Sequence, residues 1–172
     1  MAEERPEAVL ICGAYGTGKS SLAADMAELL EARDVPYAAI DLDWLAWANV
    51  EGGHGEGGER LMLANLAALI ENFRAAGMTR FVLAGLLTGA DERERMRETL
   101  GMPMRVVRLT VPMEEIERRL APDPTSGRAG DLEEARRQVA TGVGVGLEDV
   151  AVDNHRPSAE TASELVRWLG WA

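Results

Sequence analysis

Residues 8 to 12, AVLIC, run without a polar side chain into GAYGTGKS at 13 to 20, and a helical pattern begins directly afterwards. A short, continuous apolar run of this kind is a strand buried on both faces. Such a strand needs helices above and below it, and parallel neighbours need crossover connections, so the start of the chain already demands a layered α/β arrangement. The helix that follows places Leu22, Met26, Leu29 and Leu30 on one face at helical spacing.

Gly13 to Ser20 fits the spacing GxxxxGK[ST], between the buried strand and the helix start that the motif requires. Its glycines let the backbone curl so that successive amides point at phosphate oxygens, and the helix N-terminus adds partial positive charge. Gly13, Ala14, Tyr15, Gly16, Thr17, Gly18, Lys19, Ser20 and Ser21 are therefore the candidate nucleotide-binding residues. Lys19 is the only lysine among eighteen Lys and Arg. A compact ammonium reaches between the β- and γ-phosphates in a way that a planar guanidinium does not. Ser20 offers a hydroxyl to Mg²⁺, so the loop predicts binding of a nucleoside triphosphate with Mg²⁺.

The remaining pattern continues the alternation. VPYAAIDLD reads as a second strand, RFVLAGLL as a third, RVVRLTV as a fourth, and LEDVAVDN contains a fifth. Helices are expected over 59–76, over ADERERMRETL, from Pro112 to about Leu120, from Asp131, and in a last segment capped by Ser158. Asp131 and Glu134 have capping-box spacing. EGGHGEGG, 51 to 58, has almost nothing to bury and reads as a mobile loop that closes over a substrate. The expectation is one domain over residues 1–172, with a five-stranded parallel sheet between helix layers and a lid over about 121–141.

The net charge of -11 weighs against broad nucleic-acid binding and favours a small-molecule partner. No apolar run reaches the roughly eighteen residues of a membrane span. An acidic start and a single cysteine, Cys12, fit a soluble protein of the reducing cytoplasm. Oligomeric state is not legible. A Ras-like GTPase is disfavoured, because its guanine-reading NKxD needs a second lysine.

Asp41 and Asp43 lie two apart at the end of the second strand, so strand alternation points both carboxylates to one face. Open parallel sheets bind ligands at the carboxyl ends of their strands. One carboxylate, Asp41 in the first instance, then holds Mg²⁺ through water while the other orients an acceptor hydroxyl; capping of the next helix by Asp43 is compatible with this. Trp44 and Trp47 sit beside them, as core packing or as a stacking platform. Arg93, Arg95 and Arg97 interleave with Glu92, Glu94 and Glu98 and read as a salt-bridged face. His54 has no partner at metal-ligand spacing, and Cys12 reads as a small buried residue of the first strand.

In its order of loop, DLD-ended strand, third strand, RVVRLTVPMEEIERRL, turn-rich lid and VAVDNHRPSAETASELV, the chain resembles the small P-loop kinases. These include adenylylsulfate, gluconate and shikimate kinases and chloramphenicol phosphotransferase. The resemblance implies a nucleoside-monophosphate-kinase-like P-loop fold and ATP-dependent phosphoryl transfer to a small-molecule hydroxyl. The alternative is a nucleotide-binding switch without a small acceptor. It also implies that Asp41 and Asp43 contact substrate and Mg²⁺ and that Arg118 or Arg119 lies at the ATP, with Arg119 as the catalytic cation. The segment from Asp153 to Pro157, with Asn154, His155 and Arg156, would lie against adenine. Where such kinases carry a further lid arginine this chain has Asp123, which leaves Arg128 as the substitute.

Overall fold

The computed structural model describes residues 5–48, 56–121 and 130–171. Five strands, β1 (Glu7–Cys12), β2 (Tyr37–Asp41), β3 (Arg80–Ala84), β4 (Met104–Thr110) and β5 (Val150–Asp153), form one sheet in the order β2-β3-β1-β4-β5. Every pairing is parallel, and Leu10 of β1 lies opposite Leu83 of β3 and Val106 of β4. The first strand occupies the centre, as its uninterrupted apolar run requires.

Seven helices among the described residues cover the sheet: α1 (Lys19–Glu31), α2 (Leu42–Leu45), α3 (Glu56–Ala75), α4 (Ala90–Leu100), α5 (Met113–Arg119), α6 (Asp131–Ala140) and α7 (Ser158–Leu169). Strand alternation divides the core in two. Leu10, Phe81, Leu83 and Val106 face Leu66, Ile70 and Met96 of α3 and α4. Val9, Ile11, Val82 and Leu109 face Leu22, Met26, Leu165 and Val166 of α1 and α7. The result is a three-layer α/β fold whose loops after β1 and β2 emerge at one end of the sheet.

Three local expectations change. Helix α3 starts at Glu56, so residues 56–58 belong to a helix rather than to the glycine loop; once Met62, Leu66 and Ile70 fix the helix on the sheet, each preceding residue joins for little further entropy. The remaining loop residues, 51–55 with His54, lie outside the described residues, as do Asp123 and Arg128. Ser158 is the first helical residue of α7 rather than its cap, which is Pro157. Its hydroxyl donates instead to Asp25 of α1, tying the two helices of that layer. Asp131 likewise opens α6 after Gly130, with no side-chain cap, and in the first turn its charge still complements the helix dipole.

Candidate active site

The loop between β1 and α1 depends on glycine where the chain passes under its neighbours. Gly13 has φ 140°, and a Cβ there would meet the Leu109 carbonyl oxygen at 2.8 Å. Gly18 has φ 92°, with the Asn154 amide nitrogen 2.9 Å from the same hypothetical atom. Both positions exclude ordinary side chains by backbone conformation and by space. Buried Thr17 donates its hydroxyl to the Ala14 carbonyl at 2.8 Å, which holds the curl. The Tyr15 amide donates to Gln138 of α6 at 2.7 Å.

Lys19 Nζ donates to the carbonyls of Gly13 and Ala14 at 3.2 and 3.3 Å and lies 5.8 Å from the centre of the Tyr15 ring. Burial holds its pKa below the usual lysine value, while Asp43 and Asp41 act in the opposite direction. A half-buried ammonium facing loop carbonyls is a cation that has already lost part of its water, ready to exchange those carbonyls for phosphate oxygens.

Both acidic residues of DLD come to this mouth, but by a different route from strand alternation. Strand β2 ends at Asp41, and Asp43 stands in the first turn of α2. Asp41, not Asp43, is the N-cap: its carboxylate accepts from the Asp43 amide at 3.1 Å. Its other oxygen accepts from the Ser20 hydroxyl at 2.6 Å. Asp43 makes no side-chain hydrogen bond or ion pair with the described residues. Desolvation first, and then the Asp41 charge, raise its pKa above the usual aspartate value, with Lys19 opposing. This pair is a fixed, hydrogen-bonded carboxylate beside a free, perturbed one.

On the opposite side of the loop a cleft of about 350 Å³ is lined by Gly16, Gly18, Ser21, Arg119, Asn154 and Arg156. Arg119 donates to the Thr17 carbonyl at 3.2 Å and to the Asn154 carbonyl at 2.8 Å, and Glu115 accepts from it at 2.8 Å. Asn154, 2% exposed, donates to the Thr17 carbonyl at 2.9 Å. Arg118 points away, exposed and paired with Glu115; the two arginines together hold the Glu115 carboxyl down at about 2. Helix geometry decides between these neighbours, since adjacent residues point about 100° apart. His155 pairs with Asp153 at 2.8 Å, Arg156 with Glu164 at 3.0 Å, and Pro157 is the N-cap of α7.

Next to the loop cleft, which has a volume of about 710 Å³, lies a larger one of about 890 Å³. Asp43, Tyr15, Trp47 and Asp131 line both. Trp44 and Trp47 do not pack in the core: they are 67% and 73% exposed and stack on each other with ring centres 4.8 Å apart. The four-residue α2 is too short to turn these two side chains under the sheet. The segment after β3 contributes Leu86 to the larger cleft, while Leu87 is buried in the core. Glu59, Glu92 and Glu134 also line this cleft. The sequence marks Glu134 only as a capping-box partner and Glu92 only as part of a charged face, and Glu59 not at all, because their meeting at one cleft depends on three separate helices. Arg93, Arg95 and Arg97 are bound to Asp149, Glu59 and Glu94, the salt-bridged face expected of α4. Cys12 is buried in β1, and burial pushes its thiol up to about 11. No helix among the described residues is long and apolar enough to cross a membrane.

This architecture is widely shared among solved structures. The adenylylsulfate (APS) kinase CysC of Mycobacterium tuberculosis, in complex with AMPPNP and APS, matches with 22% identity and a TM-score of 0.62, over 96% of this chain and 98% of that one. A gluconokinase from Sinorhizobium meliloti 1021 matches with 20% identity and a TM-score of 0.59, over 96% and 97%. Shikimate kinase from Acinetobacter baumannii, in complex with shikimate, matches with 18% identity and a TM-score of 0.60, over 98% and 95%. Identities this low establish the fold, which is that of the small P-loop kinases. Among curated proteins no sequence matches significantly. A family model described as an AAA domain matches residues 9–141, well over half of the chain, from within β1 through α6, and the chain accordingly belongs to this AAA-domain family of P-loop proteins.

Proposed function

We propose that the protein is an ATP-dependent phosphotransferase that moves the γ-phosphate to a hydroxyl of a small molecule. The observation that carries this reading is the position of Asp43, which lines both the phosphate-loop cleft and the larger cleft beside it. A carboxylate at that junction can accept a hydrogen bond from an alcohol held in the larger cleft and aim its oxygen in line with the terminal phosphate. Lys19 and the loop amides bind the phosphates, and Arg119 and Asn154 brace the loop against the β5–α7 connection, where the base of the nucleotide would lie. Arg128 remains the candidate for a lid cation.

Ser20 and Asp41 provide a hydroxyl and a carboxylate oxygen within 2.6 Å of each other. Hard oxygen donors in so small a number suit a cation that keeps several waters and takes its other ligands from phosphates. Among the described residues no group of three or more His, Cys, Asp or Glu could hold a metal alone. Ser20 and Asp41 would hold Mg²⁺ bound with ATP, which would supply neutralisation of the phosphate charge. Proton acceptance falls to Asp43, whose raised pKa makes it a better base than an ordinary surface aspartate.

The test is to incubate the protein with Mg²⁺ and γ-labelled ATP against a library of hydroxylated metabolites. Label should appear on an alcohol faster than as free phosphate. Slow phosphate release with every compound tried would overturn the phosphotransferase and leave a nucleotide-dependent switch.

A further inference from the structure

The chemistry of the larger cleft indicates what sort of molecule it holds; this step rests on the phosphotransferase reading. An acceptor that is an anion, carrying a carboxylate, sulfate or phosphate, needs at least one guanidinium or ammonium turned toward it, since burying an unpaired negative charge is costly. Among the described residues lining this cleft there is no lysine or arginine. Of the arginines on the surrounding helices, Arg95 is bound to Glu59 at 2.7 Å, Arg93 to Asp149 at 2.8 Å, and Arg137 to Glu134, while Arg60 of α3 is exposed and does not line the cleft. Lys19, on the loop cleft, is reserved for phosphate.

Carboxylates populate the walls instead. Asp43, Glu59, Glu92, Asp131 and Glu134 all line the cleft. Glu92 is held by the Thr88 amide and hydroxyl, each at 2.7 Å, and Glu134 accepts from Gln138 at 2.7 Å, so these walls are built rather than loose. Asp43 accepts no hydrogen bond and forms no ion pair with the described residues. Beside it stand two indoles in water, stacked on each other, with the outer faces of the stack available. Leaving two such rings exposed forfeits apolar burial that a planar or aliphatic ligand would restore. Aromatic faces next to carboxylates form the pairing that selects cations, because the ring quadrupole and the carboxylate both attract positive charge.

We propose that the phosphoryl acceptor is a hydroxylated organic cation, a protonated amine joined to a planar or apolar body, with its charge near Asp43 and its body against Trp47. In the transfer step the alcohol oxygen forms a bond to the γ-phosphorus as the bond to the β–γ bridging oxygen breaks. ADP leaves with that electron pair, and the alcohol proton passes to Asp43.

Three matched probes isolate charge from shape: 2-amino-1-phenylethanol, a cation near neutral pH; 1-phenyl-1,2-ethanediol, neutral; and mandelate, an anion. All carry one ring and a benzylic hydroxyl. Calorimetric titration of the full chain should give affinities in the order cation, diol, mandelate, with the cation ahead of mandelate by roughly tenfold or more. Asp43→Asn should shrink that ratio toward one, and Trp47→Ala should weaken all three probes while circular dichroism stays unchanged. Equal binding, no binding by any probe, preference for mandelate, or an undiminished ratio in Asp43→Asn would each overturn the proposal. Transfer from γ-labelled ATP is read separately. Selective binding of the cation without transfer to any alcohol would overturn the phosphotransferase and uphold the cleft's choice of ligand. Transfer to mandelate, gluconate or shikimate in preference to the amine would do the reverse.

Discussion

The Ser20 hydroxyl donates to the Asp41 carboxylate across 2.6 Å, joining the first turn of α1 to the last residue of β2. The same carboxylate caps α2 through the Asp43 amide, so Asp41 has a structural duty as well as a place at the metal position. Substitutions separate the two. Asp41→Asn keeps a good cap and should leave stability within about 0.5 kcal/mol, whereas Asp41→Ala should lose about 1 kcal/mol. Both should raise the Mg²⁺ concentration needed for half-maximal transfer, because the negative oxygen is gone. Urea unfolding and a Mg²⁺ titration of transfer measure the two effects independently.

Lys19 tests whether charge alone suffices in the loop. Lys19→Ala and Lys19→Arg should both reduce transfer by about a hundredfold or more, since a forked guanidinium neither fits between the loop carbonyls nor presents a point charge to the phosphates. Both variants should keep the wild-type circular dichroism spectrum. An arginine variant with normal turnover would contradict the account of this residue.

Asp43 predicts a pH dependence. Its pKa is raised in the fold, so the fold favours the protonated form: the contribution to stability is fully present below the ordinary aspartate value of 3.8 and is lost as pH rises through the raised value. Activity runs the other way, because proton acceptance needs the ionised form. Transfer should therefore fall on the acid side with a midpoint above 3.8, and Asp43→Asn should remove this limb while lowering the rate by roughly a hundredfold or more. At neutral pH the same variant should melt no lower than the wild type, since it relieves a disfavoured charge beside Asp41. Rate profiles and thermal melts over the same buffers check both signs.

Arg119 and Arg118 are adjacent in sequence and opposite in consequence. Arg119→Ala removes donors to the Thr17 and Asn154 carbonyls, and should cost about 1.5–3 kcal/mol of stability and weaken ATP binding. Arg118→Ala breaks an exposed pair with Glu115 and should leave the denaturant midpoint unchanged. Denaturant midpoints of the two variants, side by side, decide this.

Cys12 should not react with a thiol reagent in the folded protein near neutral pH, because it is buried and its thiol stays protonated up to about 11. Labelling should appear only at urea concentrations that unfold the chain, with one equivalent incorporated per molecule. Fast labelling of the native state would show that β1 is open.

Amino-acid order by itself determined the parts of this protein that depend on near neighbours. The apolar run at 8–12 can be satisfied only between two layers, the glycine and lysine spacing of 13–20 serves one kind of ligand, and the alternation of strand and helix patterns leaves a parallel sheet. Asp41, Asp43, Lys19 and Ser20 could be assigned to one mouth because each sits at the end of a strand or the start of a helix. Tertiary structure decided what distance in sequence conceals. Whether Arg118 or Arg119 faces the loop depends on how α5 is rotated against it, and the indoles of Trp44 and Trp47 stay in water because α2 is only four residues long. The acidic wall of Glu59, Glu92, Asp131 and Glu134 is assembled from residues at or near the starts of three helices that meet at one cleft. Periodicity reports which face of an element is buried; it carries no information on which exposed charges meet across a cleft, because that is set by the relative placement of elements after the core has closed.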